Sequence, residues 1–169
     1  AIKDCRSYLR LIVNYDDVVA FNRIINVPKR GIGEKTLDSI KDAAEHANLT
    51  IFNYLIDKYK DDDCSPIGKF IYIIQKYHNK LNEQNINYRD FLKDLLKDLN
   101  YMSIFDPIDD EDRICNVEEL GNILFNSQVN DSDITLQEII ESLTLYSSAD
   151  GINDDNKVKL MTVHTAKGL

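Results

Sequence analysis

Glycine and proline are scarce, at six and three residues in a chain of 169. Few strong breakers therefore interrupt regular structure, which excludes a loop-dominated fold. Cysteine is also rare: Cys5, Cys64 and Cys115 are odd in number and widely spaced, so neither a zinc site nor a disulfide framework is expected, and a reduced, cytoplasmic protein fits. The three histidines, His46, His78 and His164, are equally scattered. No apolar run is long enough to span a membrane, and the opening Ala1-Ile2-Lys3-Asp4 reads as helix interior and not as a secretory leader. There is no G-x-x-x-x-G-K-[ST] phosphate loop and no acidic partner for magnesium. The Asp-rich stretches lack the central glycine and closing glutamate of an EF-hand, so they read as solvated linkers and not as calcium loops.

Hydrophobic residues make up 43% of the chain, too many for disorder, and the length suits one domain with its own core. The formal net charge is −9. That argues against a general nucleic-acid-coating protein, although affinity for phosphate follows the cations at the contact and not the charge of the whole.

Helical apolar spacing recurs almost throughout. Ile2–Val13 and Asp17–Val27 are expected helices, followed by a polar loop at Pro28–Gly33 and a helix at Glu34–Ala47. Thr50 is placed to cap a short helix, Ser65-Pro66 to start another, and Asn87 to begin a third. A helix is expected from about Asp112 to Asn126, and Thr135 with Glu138 has capping-box spacing ahead of Leu136. Only Lys157–Val163 changes period: Val158 and Leu160 share a face, as in a strand. A lone strand has no sheet, so its partners are expected outside this sequence. The fold class is thus all-α, a multi-helix domain with one terminal strand. Asp61-Asp62-Asp63, Asp106–Asp112 and Asn153–Asn156 are expected linkers.

The most informative internal stretch is Val27-Pro28-Lys29-Arg30-Gly31-Ile32-Gly33-Glu34-Lys35-Thr36. Two glycines allow a very tight turn, and Ile32 between them can plug into the core. The N–H groups of Gly31, Gly33 and the next turn would then face outward at a helix N-terminus, a ready phosphate site. Lys29, Arg30 and Lys35 against Glu34 give a local charge of +2. This resembles a helix-hairpin-helix, which grips a DNA backbone without reading bases. The plainer alternative is an ordinary interhelix turn with a basic surface. The triplet is not a nucleotide fingerprint, since no strand precedes it and no third glycine follows.

The last ten residues, Leu160-Met161-Thr162-Val163-His164-Thr165-Ala166-Lys167-Gly168-Leu169, closely resemble helicase motif V of the UvrD/Rep/PcrA group in superfamily 1. Ile2-Lys3-Asp4, Tyr8-Leu9-Arg10-Leu11 and Asn14–Asp17 are similar to the segment where the family's 2A domain leads into the 2B subdomain. Phe21–Gly33 is similar to the 2B hairpin, and Asp112-Arg113-Ile114 with Val117–Leu120 to a later 2B helix. Cys115 and Gly121 depart from the family pattern. A mid-helix glycine costs roughly 1 kcal/mol relative to alanine unless close packing needs it. Residues 48–105 carry little that is specific to the family.

The resemblance implies a piece of a longer ATP-dependent 3′–5′ DNA helicase or a related helicase–nuclease. Residues 1–16 would be the end of 2A, 17–150 the helical 2B subdomain, and 151–169 the return into 2A with motif V, whose strand belongs to a RecA-like domain. Thr162, His164, Thr165 and Lys167 would touch single-stranded DNA. Lys29, Arg30, Gly31, Ile32, Gly33, Lys35 and Thr36 would touch duplex DNA near a junction. ATP and Mg would belong to the parent, with no cofactor in this fragment and no catalysis by it alone. Partners would be junction DNA, the RecA-like domains and DNA repair proteins, with no membrane. The alternative is a protein-interaction or autoinhibitory module, favoured by the acidic balance and by residues such as Asp109 and Asp110.

Overall fold

Side chains at the helix starts set most of the architecture. The computed structural model describes residues 1–149 except Asp63 and Gln84. Within them lie eight α-helices, one short 3-10 helix and no strand. The helices are α1 (Ile2–Val13), α2 (Val18–Ile24), α3 (Glu34–His46), α4 (Ile51–Lys58), α5 (Pro66–Lys80), α6 (Tyr88–Asp98), α7 (Glu111–Asn130) and α8 (Leu136–Ala149), with the 3-10 turn at Tyr101–Ile104 between α6 and α7. The expected strand at 157–163 and motif V lie outside the described residues.

The expected caps are present. Ser65 Oγ accepts from the Gly68 amide at 3.0 Å, with Pro66 in the first turn of α5. Asn87 Oδ1 accepts from the amides of Arg89 and Asp90, and Thr50 Oγ1 from Asn53. Thr135 and Glu138 form a reciprocal box: the Thr135 amide donates to Glu138 Oε2 at 2.7 Å, and the Glu138 amide to Thr135 Oγ1 at 3.3 Å. Asparagine closes two helices in the left-handed region, Asn48 after α3 (φ 54°) and Asn100 after α6 (φ 51°). At the first, Leu49 N bonds back to the Ala44 carbonyl at 3.0 Å, which satisfies one of the orphan carbonyls of the last turn.

Several elements differ from expectation. Helix α7 runs on to Asn130, beyond the expected Asn126, and takes in Glu111 and Asp112 of an expected linker, and the 3-10 turn at Tyr101–Ile104 is not among the expected elements. Helix α2 stops at Ile24, short of Val27, because the residue before a proline avoids the helical region and Pro28 has no N–H to continue the ladder. Asp62 is half-buried and not a free linker residue: its carboxylate accepts from the amides of Cys64 and Ser65. Its carbonyl also lies where a Cβ on Gly68 would be, at 1.9 Å.

Helix α1 is the hub. It packs against α2, α5, α7 and α8, so Cys5, Tyr8, Leu9, Leu11 and Ile12 are all fully buried, more than a single apolar stripe would bury. An edge-to-face aromatic chain crosses the core from Phe21 on α2 to Phe52 on α4, Phe70 on α5, Tyr8 on α1 and Tyr101 in the 3-10 turn, with centroids 6.2–6.4 Å apart. Each such ring contributes roughly 1.5–3 kcal/mol by leaving water. The Tyr101 hydroxyl donates to Asp4 Oδ2 at 2.9 Å, and that carboxylate's other oxygen takes Arg23. Helices α6 and α7 pair through Phe91, Leu92, Leu95 and Leu96 with Val117, Leu120 and Leu124. Gln128 on α7 reaches back to the loop before α6, donating to the Ile86 carbonyl and accepting from the Tyr88 amide, each at 2.7 Å. The α2–α3 hairpin is tied to this core through the buried Ile32.

Candidate nucleic-acid interface

Asn26 organises the hairpin. Its Oδ1 accepts from the amides of Arg30 and Ile32, each at 3.2 Å, and its Nδ2 donates to the Ile32 carbonyl. One side chain thus does the work of a backbone turn. The Val27–Pro28 peptide bond is cis. Gly31 sits at φ +73°, which a residue with a Cβ adopts only at a cost. Ile32 is 8% exposed and belongs to the core cluster, the plug expected from its position between two glycines. Gly33 has an ordinary extended backbone and is the N-cap of α3.

The cations of the hairpin divide by direction. Arg30 points inward. Its Nη1 donates to the carbonyls of Ile24 (2.8 Å), Ile25 (3.0 Å) and Pro28 (3.3 Å). Its Nη2 donates to the Tyr8 hydroxyl at 2.7 Å, and its guanidinium carbon lies 4.5 Å from the Phe70 ring centroid. It therefore answers the orphan carbonyls at the end of α2 and clamps the loop to α1 and α5. The Tyr8 hydroxyl donates in turn to the Val27 carbonyl. Burial pushes this phenol up to about 12, against the opposing pull of Arg30, so it stays protonated and able to donate.

Lys29, Gly31, Gly33, Lys35 and Thr36 are exposed. No side chain caps α3, so its first amides face solvent beside Lys35 and Thr36, with Glu34 the one acidic residue of the first turn. Two exposed lysines, two exposed glycines and an uncapped helix start therefore share one projecting tip, while Ile32 and Arg30 hold it from behind. The residues the sequence reading did not single out are Asn26 and Tyr8. An asparagine just before an X-Pro pair is a usable signal for the first; the second has none, because its partners are twenty residues away. Thr162, His164, Thr165 and Lys167 lie outside the described residues.

Among the described residues no three His, Cys, Asp or Glu side chains are grouped to hold a metal ion, and no helix is long and apolar enough to cross a membrane.

Comparison with known proteins places this sequence in a family. The ATP-dependent DNA helicase PcrA of Staphylococcus epidermidis is 30% identical over 181 residues, covering 99% of this chain. The protein of the same name from Staphylococcus aureus is 26% identical over 189 residues, again covering 99%. The chain spans 24% of the length of either relative. Residues 1–169 match the sequence profile of the UvrD-like helicase C-terminal domain along their whole length, and the chain belongs to that family.

Proposed function

We propose that this chain is the 2B subdomain of an ATP-dependent 3′–5′ DNA helicase with flanking 2A segments, and that its hairpin grips duplex DNA near the single-strand junction. The observation that carries the reading is the tip itself: Lys29 and Lys35 exposed beside Gly31, Gly33 and an uncapped α3, in a chain whose net charge is −9. Lysines supply the phosphate attraction, and the helix N-terminus adds N–H donors. Motif V, with Thr162, His164, Thr165 and Lys167, would contact the single strand in the parent. ATP and Mg would bind elsewhere in the parent, since this sequence holds no phosphate loop. In this division 1–16 and 151–169 are the connections to 2A and 17–150 is 2B, with α1 of the first connection packed into the same helical core.

The test is a titration of the 169-residue chain against a fluorescent duplex–single-strand junction at low and moderate salt, beside a Lys29→Ala, Lys35→Ala variant. Weak, salt-sensitive binding that the variant loses supports the reading. No binding at low salt, or equal binding by the variant, overturns direct duplex contact. Arg30 is unsuited to this test because its guanidinium is part of the fold.

A second reading, a protein-interaction module, is favoured by the loop before α7. There Ile108 is 86% exposed between the acidic Asp106, Asp109 and Asp110. Capture of a partner protein that depends on Asp109 and Asp110, and not on Lys29, would support it.

A further inference from the structure

One side of the hairpin forms a wall of an open cleft of about 690 Å³, whose opposite wall is the first half of α5 and whose end is the α6 C-terminus. Lys29 stands on the hairpin side and Lys69 on the α5 side, both exposed. Among the described residues neither has a carboxylate within ion-pair distance. The one carboxylate lining the cleft, Asp98, is committed: it takes Lys76 at 2.7 Å and the Tyr77 hydroxyl at 3.0 Å. The Phe70 ring in its wall is covered by the Arg30 guanidinium. Tyr72, in contrast, is 64% exposed, a large aromatic left in water one residue from the core positions Phe70 and Ile71.

We propose that this cleft holds unpaired nucleotides of a strand leaving the duplex, with phosphates at Lys29 and Lys69 and a base stacked on Tyr72. The proposal rests on the reading of the hairpin as a duplex contact. Charge selects the class of ligand: two lysines with no ion-pair partner among the described residues line one cleft, in a chain that is otherwise strongly acidic, which fits a polyanion. Size and the aromatic select single strand over duplex. A space of this volume is in the range of roughly 300–1,000 Å³ that holds a small molecule, enough for one or two nucleotides. Inside a duplex each base face is covered by its neighbours, so an exposed tyrosine along the strand stacks on a base that is unpaired. Cations tracking the backbone beside an aromatic platform are the general design of single-strand binding.

The experiment compares the 169-residue chain with Lys69→Ala, Tyr72→Ala and Lys35→Ala variants, each checked for unchanged thermal unfolding. Lys69, Tyr72 and Lys35 are exposed, so the core is not disturbed. The probes are a blunt duplex and the same duplex carrying an oligothymidine arm. The arm is expected to raise affinity for the unsubstituted chain. Tyr72→Ala should remove about tenfold of the armed affinity, and Lys69→Ala should lower the salt slope on armed DNA by about 0.7. Both should leave blunt-duplex binding unchanged, and Lys35→Ala should weaken both probes alike. An arm that adds no affinity, or one whose gain survives both cleft variants, overturns the cleft proposal even if Lys35→Ala confirms the hairpin. Arm binding that depends on Tyr72 without any duplex binding supports the cleft and overturns the hairpin reading; failure to bind either DNA overturns both.

Discussion

The Arg30 guanidinium donates to the Tyr8 hydroxyl at 2.7 Å, joining the hairpin to the central helix through a pair 22 residues apart. Arg30 therefore shapes the tip, while Lys29 and Lys35 charge it. Tyr8→Phe removes one donor and one acceptor from a buried site and changes no charge. The expected cost is about 1–3 kcal/mol, because the Val27 carbonyl and one guanidinium donor lose their partner. On junction DNA the same variant should bind more weakly with an unchanged dependence on salt. Lys29→Ala should instead flatten the slope of log affinity against log salt by about 0.7–0.9, one phosphate contact on the single strand or on the duplex. Arg30→Lys should behave like Tyr8→Phe, since a compact ammonium cannot serve three carbonyls and a phenol at once. Equal flattening of the slope by Arg30→Lys and Lys29→Ala would show that Arg30 works as a surface charge.

Two helical glycines should respond to alanine with opposite signs. At Gly68 an added Cβ would sit 1.9 Å from the Asp62 carbonyl oxygen, which is backbone and cannot step aside. Gly68→Ala is expected to destabilise by about 1–3 kcal/mol through forced repacking of the loop before α5. At Gly121 the nearest atom is Arg89 Cγ at 3.4 Å, on a flexible side chain. Gly121→Ala should stabilise by up to about 1 kcal/mol, the helix-propensity gain. Urea unfolding of the two variants beside the parent chain measures both, and stabilisation by Gly68→Ala would contradict the close approach.

These contrasts show what the sequence carries and what it does not. Caps are local, so Ser65, Asn87 and the Thr135–Glu138 pair were legible from spacing of a few residues. Ile32 was legible as a plug because the two glycines left it nothing else to do. The inward turn of Arg30 was not, because its partners come from α1, α2 and α5 and residue type does not give direction. Gly68 was silent for a related reason: a close backbone approach leaves no pattern in the neighbouring residues. The 3-10 turn escaped because Tyr101 is a single buried anchor, and one residue has no period.

The three thiols should separate by environment. Cys5 is fully buried on α1, and burial pushes its thiol up to about 12, so almost no thiolate exists at neutral pH. Cys64 and Cys115 are exposed. A disulfide reagent such as DTNB should titrate two thiols rapidly in the native chain, and the third only as the chain opens. Since α1 contacts four other helices, the slow rate should follow global unfolding and accelerate with denaturant accordingly. Three rapid equivalents would mean that α1 frays locally.

Asp98 gives the chain a defined acid dependence. The hydrogen bond from Lys76 Nζ, at 2.7 Å, is the main cause holding its carboxyl below the ordinary value of 3.8, with the Tyr77 hydroxyl adding to it. A carboxyl depressed in the folded state contributes stability that is complete above its unfolded value and lost as pH falls through the folded one. Asp98→Asn should therefore be less stable than the parent chain near neutral pH, and the gap should begin to close as pH drops below about 4 and vanish below the depressed value of the folded state. The gap stays under about 1 kcal/mol, because both side chains are a third or more exposed and water screens the pair. Urea midpoints at neutral, mildly acidic and strongly acidic pH test this. A deficit of the same size at every pH would assign the role of Asp98 to the neutral hydrogen bond with Tyr77, which an asparagine oxygen at that position fails to reproduce, and not to its charge.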